Sequence, residues 1–332
     1  MREPAFWRKN GFLARTLSPI AAIYASVADA RMKGEGYRAS VPVFCVGNLT
    51  AGGTGKTPTA LALAKSFLAR GLKPYFLTRG YGGSSAGPLL VAQGHTSKDV
   101  GDEALLLARL APTIVARDRA AGAQLAVSSG ASVIIMDDGF QNAALAKDFA
   151  LLVVDGQRGI GNGRVIPSGP LRASLGAQLA RANALLVVGA VSNLSREVIA
   201  AAKARGLPVF TGSLQPDVPA ITELRGRKIL AYAGIGHPDK FFTTLAAGGA
   251  VVRGTRIFDD HHQFTRAEAT ELLDTAAREH LVLVTTEKDI ARMRGDPALE
   301  ALAQQTIVLP VTMTFDDEAA WRREVVDKFL QA

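Results

Sequence analysis

Apolar and polar positions alternate in two registers along the chain. Over residues 41–189, short apolar runs are followed by turns and then by segments whose apolar positions recur every three or four residues. The runs at 41–46, 75–78, 113–116, 133–136, 150–154 and 184–188 are almost continuously apolar, as strands buried on both faces must be. Helical spacing covers 56–70, 102–110 and 118–128. Strands alternating with helices predict an α/β fold with a mostly parallel sheet. A second, smaller α/β region begins near Lys228, with strands expected at 229–233, 251–258, 281–285 and 306–309 and helices at 238–245, 266–279 and 316–330. The stretch 212–227 between them carries Pro216, Pro219 and Gly226 and reads as a linker or crossing hairpin.

The N-terminus has its own pattern. Phe6, Trp7, Phe12, Leu13, Leu17, Ile20, Tyr24 and Val27 recur at helical steps, amid Arg2, Arg8, Lys9, Arg15, Arg31 and Lys33. Ser18-Pro19 suits an N-cap and first turn, so two short helices are expected. The uncharged run 16–28 has 13 residues, short of the roughly 20 that span a bilayer. Two readings stand: an amphipathic element on a membrane interface, or a helix packed on the core. No secretory signal is expected. The division is then 1–38 for the amphipathic segment, 39–212 for the first domain, 213–227 for the linker and 228–332 for the smaller domain.

Composition adds two constraints. A single cysteine, Cys45, lies inside an apolar run and reads as a core residue of a reducing compartment, which excludes a disulfide framework or a cysteine metal site. The net charge of +8 points to an anionic partner. With aromatic residues at 6% and no basic-aromatic cluster, nucleic acid is not expected.

Strand, glycine-rich turn and helix meet at 47–57, GNLTAGGTGKT. Glycines let backbone amides curl around phosphate oxygens, Lys56 reaches the β/γ-phosphates, and the Thr57 hydroxyl suits magnesium. The helix that follows points its positive end at the anion. ATP and Mg2+ are therefore the expected cofactors, with Thr50, Ala51, Gly52, Gly53, Thr54, Gly55, Lys56 and Thr57 around the phosphates. The pattern departs from G-x-x-x-x-G-K-[ST] at Thr50. It also resembles the KGGxGKT loops of ParA/MinD-like ATPases, except that Ala51 stands where their lysine belongs.

Asp137-Asp138 end a buried strand, where the metal-holding acids of such folds belong. Adjacent residues on a strand face opposite ways, so one acid is expected to serve the metal and the other the turn. Asp102 opens a helix beside Glu103 and is either an N-cap or a general base. His261 and His262 follow Asp259-Asp260 and could form an Asp-His pair or a surface turn. Arg79, Tyr81, Arg117 and Arg119 follow strands and could clamp an anion or be merely solvated.

The succession GNLTAGGTGKT, LTRGYGG, GDEALLLA, VARDR, DDGFQ, VVDGQRGIGNGRVIPSGPLR, AGIGHP, DDHHQFT and TTEKD closely resembles the tetraacyldisaccharide 4′-kinase family of lipid A biosynthesis. The resemblance covers essentially the whole chain. It implies a RecA-like P-loop domain, a smaller α/β domain joined by a two-stranded linker, and an N-terminal membrane-facing helix. It implies transfer of the γ-phosphate of ATP to the 4′-hydroxyl of a tetraacylated disaccharide 1-phosphate, at the cytoplasmic face of the bacterial inner membrane. The partners expected are that acylated lipid and an anionic membrane surface, with no obligate protein partner. By the same resemblance Asp102 is the catalytic carboxylate, supported by His261 with His262 as fallback, and Lys56 keeps its phosphate role. Asp137 and Asp138 become metal groups, Glu103 a supporting one, and Asn48, Arg79, Tyr81, Arg117, Arg119 and Gln141 the substrate contacts. Two other classes remain open at this stage: a ParA/MinD-like membrane-associated ATPase switch, and a P-loop kinase for a soluble sugar.

Overall fold

A computed structural model describes residues 4–328. Arg2 and the end of the helix expected over 316–330 lie outside the described residues. Eight strands precede the crossing: β1 (Val43–Asn48), β2 (Pro74–Thr78), β3 (Leu89–Leu90), β4 (Thr113–Val115), β5 (Val133–Asp137), β6 (Phe149–Asp155), β7 (Ala184–Val188) and β8 (Val209–Pro216). Then come β9 (Lys228–Ala233), β10 (Val251–Ile257), β11 (Val282–Thr286), β12 (Thr306–Leu309) and β13 (Val311–Phe315).

The larger sheet has nine strands in the order β13-β8-β7-β6-β1-β5-β2-β4-β3, and the smaller has four in the order β10-β9-β11-β12. All pairs in the smaller sheet are parallel, and in the larger only β13 and β3 pair antiparallel, both at its edges. Successive side chains on a strand point to opposite faces, so β1 feeds two cores. Val43 and Cys45 join Leu77, Ile134 and Leu152 on one face, while Phe44 and Val46 join Leu63, Phe67 and Ile135 on the other. Burial on both faces disfavours polar positions along β1, β5 and β6 ahead of their last residues, which is why these strands read as continuous apolar runs. The smaller sheet is built alike, with Leu230 and Tyr232 facing one helix layer and Ile229, Ala231 and Ala233 the other.

One boundary differs from expectation. The smaller sheet ends at Leu309, and residues 311–328 return to the larger one instead of completing a unit over 228–332. β13 pairs with β8 from Val311 opposite Pro216 to Phe315 opposite Gly212, so the chain crosses on two antiparallel strands. Trp321 anchors the return: fully buried, it stacks on Phe315 at 3.9 Å and meets Phe210 edge-on at 5.4 Å. The segment 213–227 accordingly contains the end of β8 and the helix Val218–Glu223.

The two N-terminal helices are Phe12–Thr16 and Ser18–Met32. They bury only Ala14, Ala21 and Met32, while Phe12 is 83% exposed and Ile23 69%, so the large apolar side chains face away from the core. What holds the segment down is polar. The Trp7 indole donates to the Pro167 carbonyl, Asn162 N–H donates to the Trp7 carbonyl, and Asp29 accepts from the Ser174 amide.

Candidate active site

The phosphate-type loop leaves β1 at the sheet's carboxyl edge, where ligands bind in open α/β folds. Gly52 and Gly55 have φ of 109° and 95°, a region that a side chain disfavours, and a Cβ at Gly52 or Gly53 would meet nothing within 4 Å. Space is therefore open beside Gly52 and Gly53, ahead of the Lys56–Leu68 helix. A second segment braces the loop from behind: Ala51 N–H donates to the Pro170 carbonyl and Arg172 N–H to that of Leu49, both at 2.9 Å.

Three side chains expected at the substrate donate to backbone carbonyls, two of them within this loop and one at the turns after β4 and β5. The Asn48 amide donates to the Thr50 carbonyl at 2.6 Å and to that of Gly52 at 3.1 Å. Gln141 donates to the Asn48 carbonyl at 2.8 Å and to the Gln178 side chain at 3.0 Å. Arg119, 2% exposed, donates to the carbonyls of Ala116 and Asp138. Each side chain is committed inward because the tight turns at strand ends leave buried carbonyls that need donors.

The two adjacent aspartates have different partners, and the left-handed turn at Asp138, just past the end of β5, separates them. Asp137 is 1% exposed, and its Oδ2 accepts from the Thr57 hydroxyl at 2.9 Å. Its Oδ1 is buried with no hydrogen-bond partner. Burial, reinforced by the Glu103 carboxylate, pushes Asp137 up to about 7. A buried carboxylate oxygen without a partner, near a second carboxylate and beside a threonine hydroxyl, fits a divalent cation, whose charge would favour the ionised form. Asp138 turns away at φ 56°, with Lys56 Nζ 3.6 Å from Oδ2 and Arg172 on both oxygens at 2.8 and 3.2 Å. Burial works against its charge, but Lys56 and then Arg172 outweigh it and hold Asp138 down at about 2.

Asp102 is the first residue of the Asp102–Ala108 helix, and Gly101 takes the cap position. Its carboxylate, 3% exposed, is reached from the smaller sheet on both oxygens. His261, at φ 60° in the turn after β10, places Nδ1 3.3 Å from Oδ1. Arg292, in the Glu287–Met293 helix, donates through Nε to Oδ2 at 2.8 Å. Burial would raise Asp102, yet the His261 hydrogen bond and the Arg292 guanidinium keep it far below the usual carboxylate range. Glu103, expected near a metal, instead accepts from Lys288 at 2.6 Å. The smaller sheet also closes on the loop itself: a Cβ at Gly236 would stand 3.6 Å from the Gly53 nitrogen.

A family model described as Tetraacyldisaccharide-1-P 4′-kinase (LpxK) matches residues 13–330. The chain belongs to this family. It is 52% identical over 98% of its length to the tetraacyldisaccharide 4′-kinase of Rhodopseudomonas palustris (strain BisA53), covering 95% of that protein. With the corresponding kinase of Nitrobacter winogradskyi (strain Nb-255) the identity is 49%, over 98% of this chain and 97% of that one. Among solved structures, the "apo" form LpxK from Aquifex aeolicus in complex with ATP superposes with a TM-score of 0.73 at 24% identity, over 96% of this chain and all of that one. That last likeness bears on the fold.

Family membership and these relatives make the protein an ATP-dependent lipid kinase that phosphorylates the 4′-hydroxyl of tetraacyldisaccharide 1-phosphate in lipid A biosynthesis. The ATPase-switch and soluble-sugar readings fall away.

Around the cleft of this 4′-kinase, Arg79 and Arg117 are exposed at the ends of β2 and β4 and have no ion-pair partner among the described residues. Tyr81, 63% exposed, lies over the His261 ring at 4.8 Å. The fallback histidine is occupied elsewhere, because His262 Nε2 meets both Glu268 oxygens at 3.0 Å and stacks on Phe258. Three cations went unrecognised in the sequence: Arg172, Lys288 and Arg292. The first two sit inside quoted motifs, so their position was visible but no local pattern gave them a partner.

Proposed function

We propose that phosphoryl transfer takes place between the glycine loop and the Asp102–His261 pair. The observation that supports this is the contact of Asp102 Oδ1 with His261 across the two sheets, on the same edge as the open loop. Phosphoryl transfer asks a protein mainly for positioning and charge compensation. The loop amides and Lys56 hold the triphosphate of ATP, with Lys56 balancing charge that grows on the β–γ bridging oxygen. Thr57 and Asp137 would hold magnesium, with Glu103 and Asp138 behind them. Magnesium supplies further charge compensation on the phosphates.

The 4′-hydroxyl gives its proton to the Asp102–His261 pair as its oxygen attacks the γ-phosphorus and the bond to the bridging oxygen breaks. Asp102 and His261 act as one acceptor, since a proton taken by either can be shared along the contact between Oδ1 and Nδ1. Arg79, Tyr81 and Arg117 line the rim and hold the sugar or its 1-phosphate. The smaller sheet works as a mobile half whose approach to the loop completes the site.

The acceptor carries four acyl chains, and withdrawing each CH₂ from the bilayer costs about 0.8 kcal/mol. The enzyme therefore works at the membrane, with Phe12, Ile20, Ile23 and Val27 in the interface and the nearby arginines and lysines on anionic headgroups, at the cytoplasmic face. No helix among the described residues is long and apolar enough to cross. The test is Asp102→Ala, assayed with ATP, magnesium and a tetraacyldisaccharide 1-phosphate. Product with one added phosphate should fall by about 10²–10⁴-fold while ATP affinity by calorimetry stays within about twofold. Near-normal product would remove Asp102 from the mechanism.

A further inference from the structure

The Glu287–Met293 helix meets the first turn of the Asp102–Ala108 helix with two cations four residues apart. Lys288 and Arg292 lie on one face, as residues at i and i+4 do. They pair with two consecutive acids: Lys288 with Glu103 and Arg292 with Asp102. The two pairs differ in setting. The Lys288 side chain is 28% exposed, whereas Arg292 is 0% exposed and every one of its nitrogens is engaged. Its Nε and Nη2 both donate to Asp102 Oδ2, and its Nη1 donates to the Gly234 carbonyl at 2.6 Å and to Asp289 Oδ1 at 2.8 Å.

Asp289 is itself fixed, accepting from the Gly234 amide at 2.9 Å and from the Thr286 hydroxyl at 2.6 Å. Gly234 also accepts from the amide of His261 at 3.1 Å. One guanidinium therefore touches the carboxylate and the strand end, and through the shared Gly234 carbonyl it is linked to the turn that carries the histidine. A planar fork with its directions fixed can do this, where an ammonium would be a single point of charge.

We propose that Arg292 is the positioning residue of the 4′-kinase reaction: by occupying Asp102 Oδ2 and the Gly234 carbonyl, it aims Oδ1 and His261 at each other. The function extends the reading of Asp102 and His261 given above and rests on it. With its side chain 0% exposed, Arg292 offers no surface to acceptor or nucleotide, so its contribution passes wholly through the pair. Loss of Arg292 should lower kcat with little change in KM for ATP, because the loop is untouched. Misplacing a reacting group by about 1 Å costs on the order of 10²-fold, so Arg292→Met should lose about 10–100-fold in kcat. Arg292→Lys should recover only part of that, since one ammonium cannot span Asp102, Asp289 and Gly234 together.

The experiment is a double-mutant cycle of Arg292→Met with Asp102→Asn, read as single-turnover rates of lipid phosphorylation beside the melting temperature of each variant. If Arg292 acts through Asp102, its removal from the Asp102→Asn enzyme should cost no more than about twofold. An equal loss in both backgrounds would overturn the assignment and leave Arg292 a structural residue. Unchanged kcat in Arg292→Met or Arg292→Lys would overturn it too. Should Arg292→Met fail to fold, the cycle with Arg292→Lys, which keeps the buried charge, gives the same two outcomes. Normal turnover in Asp102→Asn alone would instead sink the reading on which this one rests.

Discussion

The two walls of the cleft are built on different principles. On the larger sheet, the glycine loop, Lys56, Thr57 and Asp137 arise from a strand, a turn and a helix adjacent in sequence, with one neighbouring strand supplying the acid. On the smaller sheet, no single segment makes a site. His261 and Arg292 converge on Asp102 from 159 and 190 residues away. On the proposed mechanism, nucleotide binding is thus a local property of the chain, and acceptor activation a property of the assembled fold. Mutations in the first wall should strike both binding and turnover, and those in the second only turnover.

The largest effect that sharpens this contrast is expected from Lys56→Ala. Removing a charge aimed at the transferring phosphoryl group costs about 10²–10³-fold in turnover, and here ATP affinity should fall with it. Calorimetric titration with a non-hydrolysable ATP analogue checks the binding half. Unchanged affinity would mean that the loop wall does not hold the nucleotide as described.

A smaller effect is expected outside both walls. Replacing Phe12 and Ile23 together with serine removes two exposed apolar side chains. Each large side chain transferred from membrane to water is worth about 1.5–3 kcal/mol, so binding to vesicles containing anionic lipid should weaken by at least about tenfold. Phosphorylation of detergent-dispersed acceptor should hardly change. Equal vesicle binding by the double variant would argue that this face does not meet the bilayer.

The same division explains what the sequence made legible. β1, β5 and β6 were readable because burial on both faces leaves no polar position to confuse the period, and the loop because only glycines tolerate its turns. Asp102 was ambiguous by local rules, since an acid opening a helix usually caps it; Gly101 takes the cap position. Asn48, Arg119 and Gln141 were expected at the substrate and donate to backbone carbonyls, a distinction hidden in the sequence because polar residues next to a ligand loop look alike whether they point outward or inward. β13 and the return of Trp321 were hidden for a related reason. Strand pairing with β8 is long-range, and the short run 311–315 carries two threonines on its outer face.

The central claim is that the cleft joins a nucleotide-holding wall to a proton-accepting one, and His261→Ala tests it most directly. Its ATP affinity and its rate of lipid phosphorylation should be measured on one preparation at saturating acceptor. The account predicts ATP affinity within about twofold of the parent and a rate lowered by about 10²–10³-fold, within the range for loss of a general base. A normal rate, or a loss of ATP affinity matching the loss of rate, would contradict it.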